Sequence, residues 1–210
     1  MDGLLIDSEP HWQVAGMEGL KKYGINLTLE QYHTSTGLRT PEWLEHWFTH
    51  FEIDMANAPT TIQFIEDRAI ELIQTNGISF PGTNYILGFF KEKGFKIGLA
   101  TSSPLRLVEV VVEKLGIKNY FDYFSSAEGL PLGKPHPQVY MNCAGQMGVS
   151  PLRCLCFEDS FNGITSAKAA RMSCVAVPEP VQFYHKKWGA ADLKIATLAD
   201  FNDGLLEMFG

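Results

Sequence analysis

The amino-acid sequence predicts an α/β protein: an open parallel sheet with helices on both faces and an all-α helical cap inserted near its start. Two observations carry this. From Pro81 onward short apolar runs alternate with amphipathic stretches, and strands separated by helices pair in parallel through right-handed crossovers. From Pro10 to Gly77 no convincing strand occurs, and apolar and aromatic residues recur three and four apart, the spacing of one helix face. The predicted division is residues 1–9 with 81–210 for the sheet domain and 10–80 for the cap.

In the cap, Trp12, Ala15 and Leu20 mark one helix, Trp43, Trp47, Phe48 and Phe51 another, and Ile62, Ile65, Ala69, Leu72 and Ile73 a third. Trp43 and Trp47 are expected in the cap's own core. In the sheet domain, residues 82–93 read as a helix closed by Gly94, and 95–100 as a buried strand. Residues 104–115 form a helix stopped by Gly116, followed by a short strand around 122–125. A helix at 138–147, a strand at 155–157, a helix around 163–170 and a last strand at 174–177, closed by Pro178, complete the pattern.

With 210 residues, 45% of them hydrophobic, the chain can build one good core and a smaller second unit. Its net charge of −7 argues against nucleic acid or an anionic membrane as the main partner, and an anionic ligand would need a local cationic spot. Cys143, Cys154, Cys156 and Cys174 lack paired metal-ligand spacing and read as buried free thiols suited to a reducing cytoplasm. Cys154 and Cys156, on either side of Leu155, are expected on opposite faces of a strand. The absence of a signal peptide and of any apolar run of ~18 residues predicts a soluble, cytoplasmic protein.

In an open parallel sheet, ligands bind beyond the carboxyl ends of the strands. After the strand at 95–100 comes Thr101-Ser102-Ser103-Pro104. Its hydroxyls and free N–H groups at a helix start suit a phosphoryl group, or serve as an ordinary N-cap. After the strand at 155–157 come Glu158 and Asp159. Two adjacent carboxylates there need a compensating cation such as Mg²⁺, unless the segment is a solvated turn. Between them lies Gly133-Lys134-Pro135-His136-Pro137, where the prolines aim Lys134 inward as a fixed charge or leave it a surface lysine. His136 reads as structural. His46 and His50, four apart but without a third ligand, read as cap surface or packing.

Taken in order, Asp2-Gly3, Thr101-Ser102, Lys134-Pro135 and Glu158-Asp159 resemble the four-motif signature of haloacid-dehalogenase-type phosphatases, over essentially the whole chain. The stretch from Asp2 to Pro10, Thr36-Gly37-Leu38-Arg39, the stretch from Gly133 to Pro137, and Phe157-Glu158-Asp159-Ser160 are similar to capped sugar phosphatases. That branch includes the hexitol-phosphate and 2-deoxyglucose-6-phosphate phosphatases. The resemblance implies a Rossmann-like sheet and Mg²⁺-dependent hydrolysis of small sugar or hexitol phosphates through an aspartyl-phosphate intermediate. It implies Asp2 as general acid/base with its carbonyl on the metal, Thr101 and the Ser102 amide on the phosphoryl group, and Lys134 as countercharge. Asp159 would be a metal ligand, with Glu158 on the metal or just behind it. Arg39 is a candidate substrate contact from the cap, or else a surface arginine. The implied partner is a small phosphorylated sugar or sugar alcohol, with no nucleic acid or membrane, and the implied state is a monomer.

The family motif is Asp-x-Asp-Gly, and Asp2 matches its second Asp, so the nucleophile would stand two positions earlier, before Met1. Loss of a nucleophile costs on the order of 10⁶ in rate. The central strand leading into it, about five residues buried on both faces at roughly 1.5–3 kcal/mol per large apolar side chain, matters as much as a typical domain's ~5–15 kcal/mol of stability. Residues 1–210 alone are therefore expected to be inactive and to fold poorly or leave a strand edge unpaired, the economical explanation being a sequence begun too late. Two alternatives stand. One is a β-phosphoglucomutase-like sugar phosphomutase, although Trp12 aligns where that branch has a histidine and His11 falls one residue early. The other is a non-catalytic relative that binds a phosphate ligand.

Overall fold

The computed structural model describes residues 1–35 and 38–210. Thr36 and Gly37, the first half of the Thr36-Gly37-Leu38-Arg39 string, lie outside the described residues. The chain divides into two compact units, Met1–Asp7 with Ser79–Gly210, and Ser8–Ile78. Where it leaves and re-enters the first of these, β1 (Ile6–Asp7) pairs with a second short strand at Ile78–Ser79 (β2).

The smaller unit is helical: α1 (Glu9–Lys21), α2 (Leu29–His33), α3 (Thr40–His50) and α4 (Ala58–Asn76). Local chemistry sets the helix starts. Thr28 and Gln31 form a reciprocal capping box on α2, and Pro41 and Pro59 lie in the first turns of α3 and α4. Leu20, Leu44, Phe48, Ile65, Ala69 and Ile73 fill the core. Helices α1 and α4 approach so closely at Gly19 that a Cβ there would stand 2.6 Å from Ile65 Cγ1. Arg68 joins the same pair, donating to Glu18 at 2.8 Å. Trp43 and Trp47 are 6% and 3% exposed, as expected of core residues. His46 and His50 are exposed and lie edge-on to Trp47, an aromatic packing arrangement.

The larger unit continues through α5 (Thr83–Glu92), β3 (Gly98–Thr101), α6 (Leu105–Lys114), β4 (Tyr123–Ser126) and α7 (Gln138–Gln146). It ends with β5 (Leu155–Glu158), α8 (Phe161–Ala169), β6 (Ser173–Ala176), β7 (Leu193–Lys194) and α9 (Asp203–Leu206). Strand residues alternate between two cores. Leu99, Leu155, Phe157 and Val175 pack with Ile86 and Leu87 of α5 and Val108 and Val112 of α6. Ala100, Cys156, Cys174 and Ala176 pack with Val139, Tyr140 and Ala144 of α7 and Ile164 and Ala167 of α8. The period-two alternation therefore puts helices on both faces, the predicted α/β arrangement.

Strand pairing is parallel, in two ladders, β3–β4 and β5–β6–β7. Among the described residues no strand pairs with both β3 and β5, although Leu99 and Val175 share one core. Strand β3 begins at Gly98 rather than 95 because Gly94 and Phe95 are used to close α5, their N–H groups donating to the Lys91 and Phe90 carbonyls. Strand β7 and helix α9 are too short to leave a periodic trace in the sequence.

The expectation for Cys154 and Cys156 is corrected. Residues two apart on an extended segment share a face, and both pack on the α7–α8 cluster. All four cysteines are free, and burial pushes the Cys143 and Cys174 thiols up to about 12. Among the described residues no helix is long and apolar enough to cross a membrane.

Candidate active site

Strand β3 ends in buried Thr101, whose Oγ1 accepts the N–H of Ser103 at 3.1 Å as the chain turns through half-buried Ser102 toward α6. The Ser103 hydroxyl donates to Asp2 Oδ2 at 2.7 Å, so motifs 101 residues apart meet. Gly3 adopts φ +68°, and a Cβ there would lie 2.1 Å from Asp159 Oδ2. Only glycine fits that left-handed turn with the Asp159 carboxylate against it.

Lys134 lies in the loop leading to α7 and is joined to Pro135 by a cis peptide bond. Its Nζ reaches Glu158 Oε1 at 2.5 Å, the Ala100 carbonyl at 3.2 Å and the Tyr140 hydroxyl at 3.3 Å. The Tyr140 hydroxyl also donates to Glu158 Oε1. On the other side, Ser160 Oγ donates to Glu158 Oε2 at 3.1 Å and accepts the Gly163 N–H at 3.0 Å as the N-cap of α8. His136 shapes the loop: its Nδ1 accepts the Gln138 N–H at 3.3 Å and its carbonyl accepts the Ser166 hydroxyl at 2.7 Å.

Burial raises the Glu158 carboxyl, but the charge and hydrogen bonds of Lys134 outweigh it and hold the group below the usual carboxylate range. Burial and the adjacent Glu158 charge push Asp159 up to about 7. Burial, then the Glu158 charge, lift the Tyr140 phenol well above its ordinary value, so it remains a donor. Glu158 is thus matched to Lys134, whereas the Asp159 carboxylate is the one that an added cation would favour. Among the described residues no group of three or more His, Cys, Asp or Glu side chains is arranged to hold a metal ion. The Asp2 backbone carbonyl and the Asp159 carboxylate are oxygen donors of the kind a hard ion such as Mg²⁺ takes, with water and phosphate completing its shell.

The structure brings Asp2, Thr101, Ser102, Lys134, Glu158 and Asp159 into one neighbourhood. Arg39 belongs to the helical unit, where it starts α3 with its guanidinium 2.6 Å from Glu42. Tyr140, Ser160 and Gly163 escape sequence reasoning, since each acts through a neighbour. The one available signal was a tyrosine in the first turn after Pro137, on the face that carries Val139 and Ala144 inward. Tyr140→Phe is expected to cost about 1–3 kcal/mol by leaving a buried carboxylate one donor short. Urea unfolding checks this, and an unchanged midpoint would contradict it.

A hydroxyl-and-amide turn, a fixed lysine and paired carboxylates at strand ends are the equipment of phosphoryl-transfer enzymes as a class. The chain belongs to the haloacid dehalogenase-like hydrolases, whose family model matches residues 1–171. It is similar to hexitol phosphatase B of Escherichia coli (strain K12), with 36% identity over 201 residues, 95% of this chain and 90% of that protein. It is 31% identical over 173 residues to the phosphorylated carbohydrates phosphatase of Thermotoga maritima, covering 81% of this chain and 78% of the other. The crystal structure of β-phosphoglucomutase from Clostridium difficile superposes with a TM-score of 0.86 at 21% identity, covering 99% of this chain and 93% of that one, which shows a shared fold. The protein is by class a phosphoric monoester hydrolase.

Proposed function

We propose that the protein hydrolyses phosphate monoesters of small sugars or sugar alcohols with Mg²⁺. The observation behind this is convergence. Hydrogen bonds link Asp2 through Ser103 to Thr101, and Ala100 through Lys134 to Glu158, while Asp159 packs on Gly3. In this reading Thr101 and the Ser102 N–H hold the transferring phosphoryl group, and Lys134 balances its charge. Asp2 gives a proton to the leaving oxygen and later takes one from water. Asp2 and Asp159 would hold Mg²⁺ with Glu158 behind them, and the bound ion would neutralise charge on the phosphoryl oxygens. Arg39 is proposed to contribute to recognition of the sugar. The names of the similar proteins, a hexitol phosphatase and a carbohydrate phosphatase, support the substrate class. A cytoplasmic monomer completes the proposal.

The test of the function uses the protein as its gene encodes it, against a panel of sugar and hexitol phosphates with Mg²⁺ or with a chelator. No metal-dependent phosphate release from any of them would overturn it. The phosphomutase reading shares its fold with β-phosphoglucomutase, but position 12 is a tryptophan where the resemblance to that branch calls for a histidine.

A pH dependence follows from Asp159. Its carboxyl titrates near 7 in the fold, above the ordinary ~3.9. The neutral form is therefore the stabilising one, fully effective below pH ~4 and lost as pH rises through about 7. The metal-free protein is expected to lose stability across that window. Mg²⁺ at pH 8 is expected to restore it, by about 2.7 kcal/mol at a hundredfold excess over Kd. Thermal melts with and without Mg²⁺ measure both effects, and a melt at pH 8 indifferent to Mg²⁺ would count against the metal site.

A further inference from the structure

We infer that Ser103 is a positioning residue, holding the carboxyl of Asp2 for proton transfer to the leaving oxygen, and that Ser126 braces it from behind. The inference rests on the phosphatase reading above. Ser103 is pinned by every polar group it has. Its N–H donates to Thr101 Oγ1 at 3.1 Å, its carbonyl accepts the Ser126 hydroxyl at 2.7 Å, and its own hydroxyl donates to Asp2 Oδ2 at 2.7 Å. Ser126 is itself fixed, lying opposite Thr101 in the β3–β4 ladder and accepting the Glu128 N–H at 3.0 Å.

The Ser103 hydroxyl is not engaged in capping α6. Pro104 occupies the N-cap position, and the first-turn N–H of Leu105 is taken by Glu128 Oε2 at 3.2 Å. A serine tethered through both backbone groups presents its Oγ at one place. Because that O–H donates, it occupies Oδ2 as an acceptor and fixes the orientation of the Asp2 carboxyl. Thr101, the proposed phosphate ligand, and Asp2, the proposed acid, are thereby held in register through one residue.

The chemistry separates this role from a merely structural one. In monoester hydrolysis the P–O bond to the sugar breaks and the phosphoryl group passes to an oxygen nucleophile, in the net reaction to water. The departing sugar oxygen takes a proton. A sugar alkoxide leaves poorly without that proton, whereas p-nitrophenolate leaves readily. Misplacing Asp2 must therefore slow the first substrate more than the second.

The experiment measures kcat and KM on a hexitol phosphate and on p-nitrophenyl phosphate for the naturally encoded protein and for its Ser103→Ala, Ser103→Thr and Ser126→Ala variants. Ser103→Ala is expected to lower kcat on the hexitol phosphate about 10–100-fold, with a several-fold smaller loss on p-nitrophenyl phosphate and little change in KM. Ser103→Thr, which keeps the hydroxyl, is expected to recover most of the loss. Ser126→Ala is expected to show the same signature more weakly, and it decides the question if Ser103→Ala does not fold. Equal losses on both substrates, or an effect confined to KM, would overturn the inference. An unsubstituted enzyme that releases no phosphate from any sugar phosphate would instead overturn the proposed function, before any variant is compared.

Discussion

Lys134→Ala is expected to destabilise the protein by about 3–5 kcal/mol, the cost of breaking a buried ion pair from one side, and to abolish phosphate release. The Lys134 and Glu158 side chains are 10% and 6% exposed and lie 2.5 Å apart. Without the ammonium, the buried Glu158 carboxylate keeps, among the described residues, the hydroxyl donors Tyr140 and Ser160. In the unaltered protein the Glu158 carboxyl sits below its ordinary range. Its contribution is therefore present above the ordinary carboxylate pKa and lost as pH falls through the folded value. The variant and its parent should accordingly converge in acid. A Lys134→Met/Glu158→Gln double variant should recover much of the deficit, because a neutral pair of similar volume needs no compensation. Urea unfolding at pH 7 and pH 4 tests all three statements. A deficit under about 1 kcal/mol at pH 7 would mean that the pair is solvated rather than buried.

Gly163→Ala is expected to have the second large effect, with a sign opposite to the usual one. Glycine to alanine inside a helix normally stabilises by roughly 0.5–1 kcal/mol. Here the new Cβ would stand 1.9 Å from Glu158 Oε2 and 2.1 Å from its Cδ. A flexible side chain would swing aside, but this carboxylate is held by Lys134, Tyr140 and Ser160 together. Overpacking of about 1–3 kcal/mol is expected, together with loss of activity as Glu158 moves off Lys134. Gly145→Ala in α7 is the control, since nothing lies within 4 Å of a Cβ there. That variant should gain the ordinary helix increment. If both variants melt higher than the parent, Glu158 is not anchored as described.

Much of this was legible in the sequence because it is periodic or local. The alternation of Leu155, Cys156 and Phe157 between two cores, and the helical spacing of Trp43, Trp47 and Phe48, are direct consequences of strand and helix geometry. Thr101, Glu158 and Asp159 were visible because each stands at the end of a strand, and Lys134 because it opens a proline-rich loop. What stayed hidden depends on contacts between distant parts of the chain. No local pattern announces that Ser103 meets Asp2, or that Gly163 is small to admit a carboxylate five residues earlier. The early start expected for β3 failed because a helix-closing turn competed for Phe95 and won.

The two units have separate cores. Leu20, Leu44, Phe48, Ile65 and Ile73 fill one, while Val139, Tyr140, Ile164 and Cys156 line the other behind Lys134 and Glu158. Sites that share no partners contribute additively. Natural selection can therefore rewrite the helical unit one residue at a time without retuning the carboxylates and lysine of the other. A lineage built this way inherits its carboxylates and lysine intact while its helical core drifts.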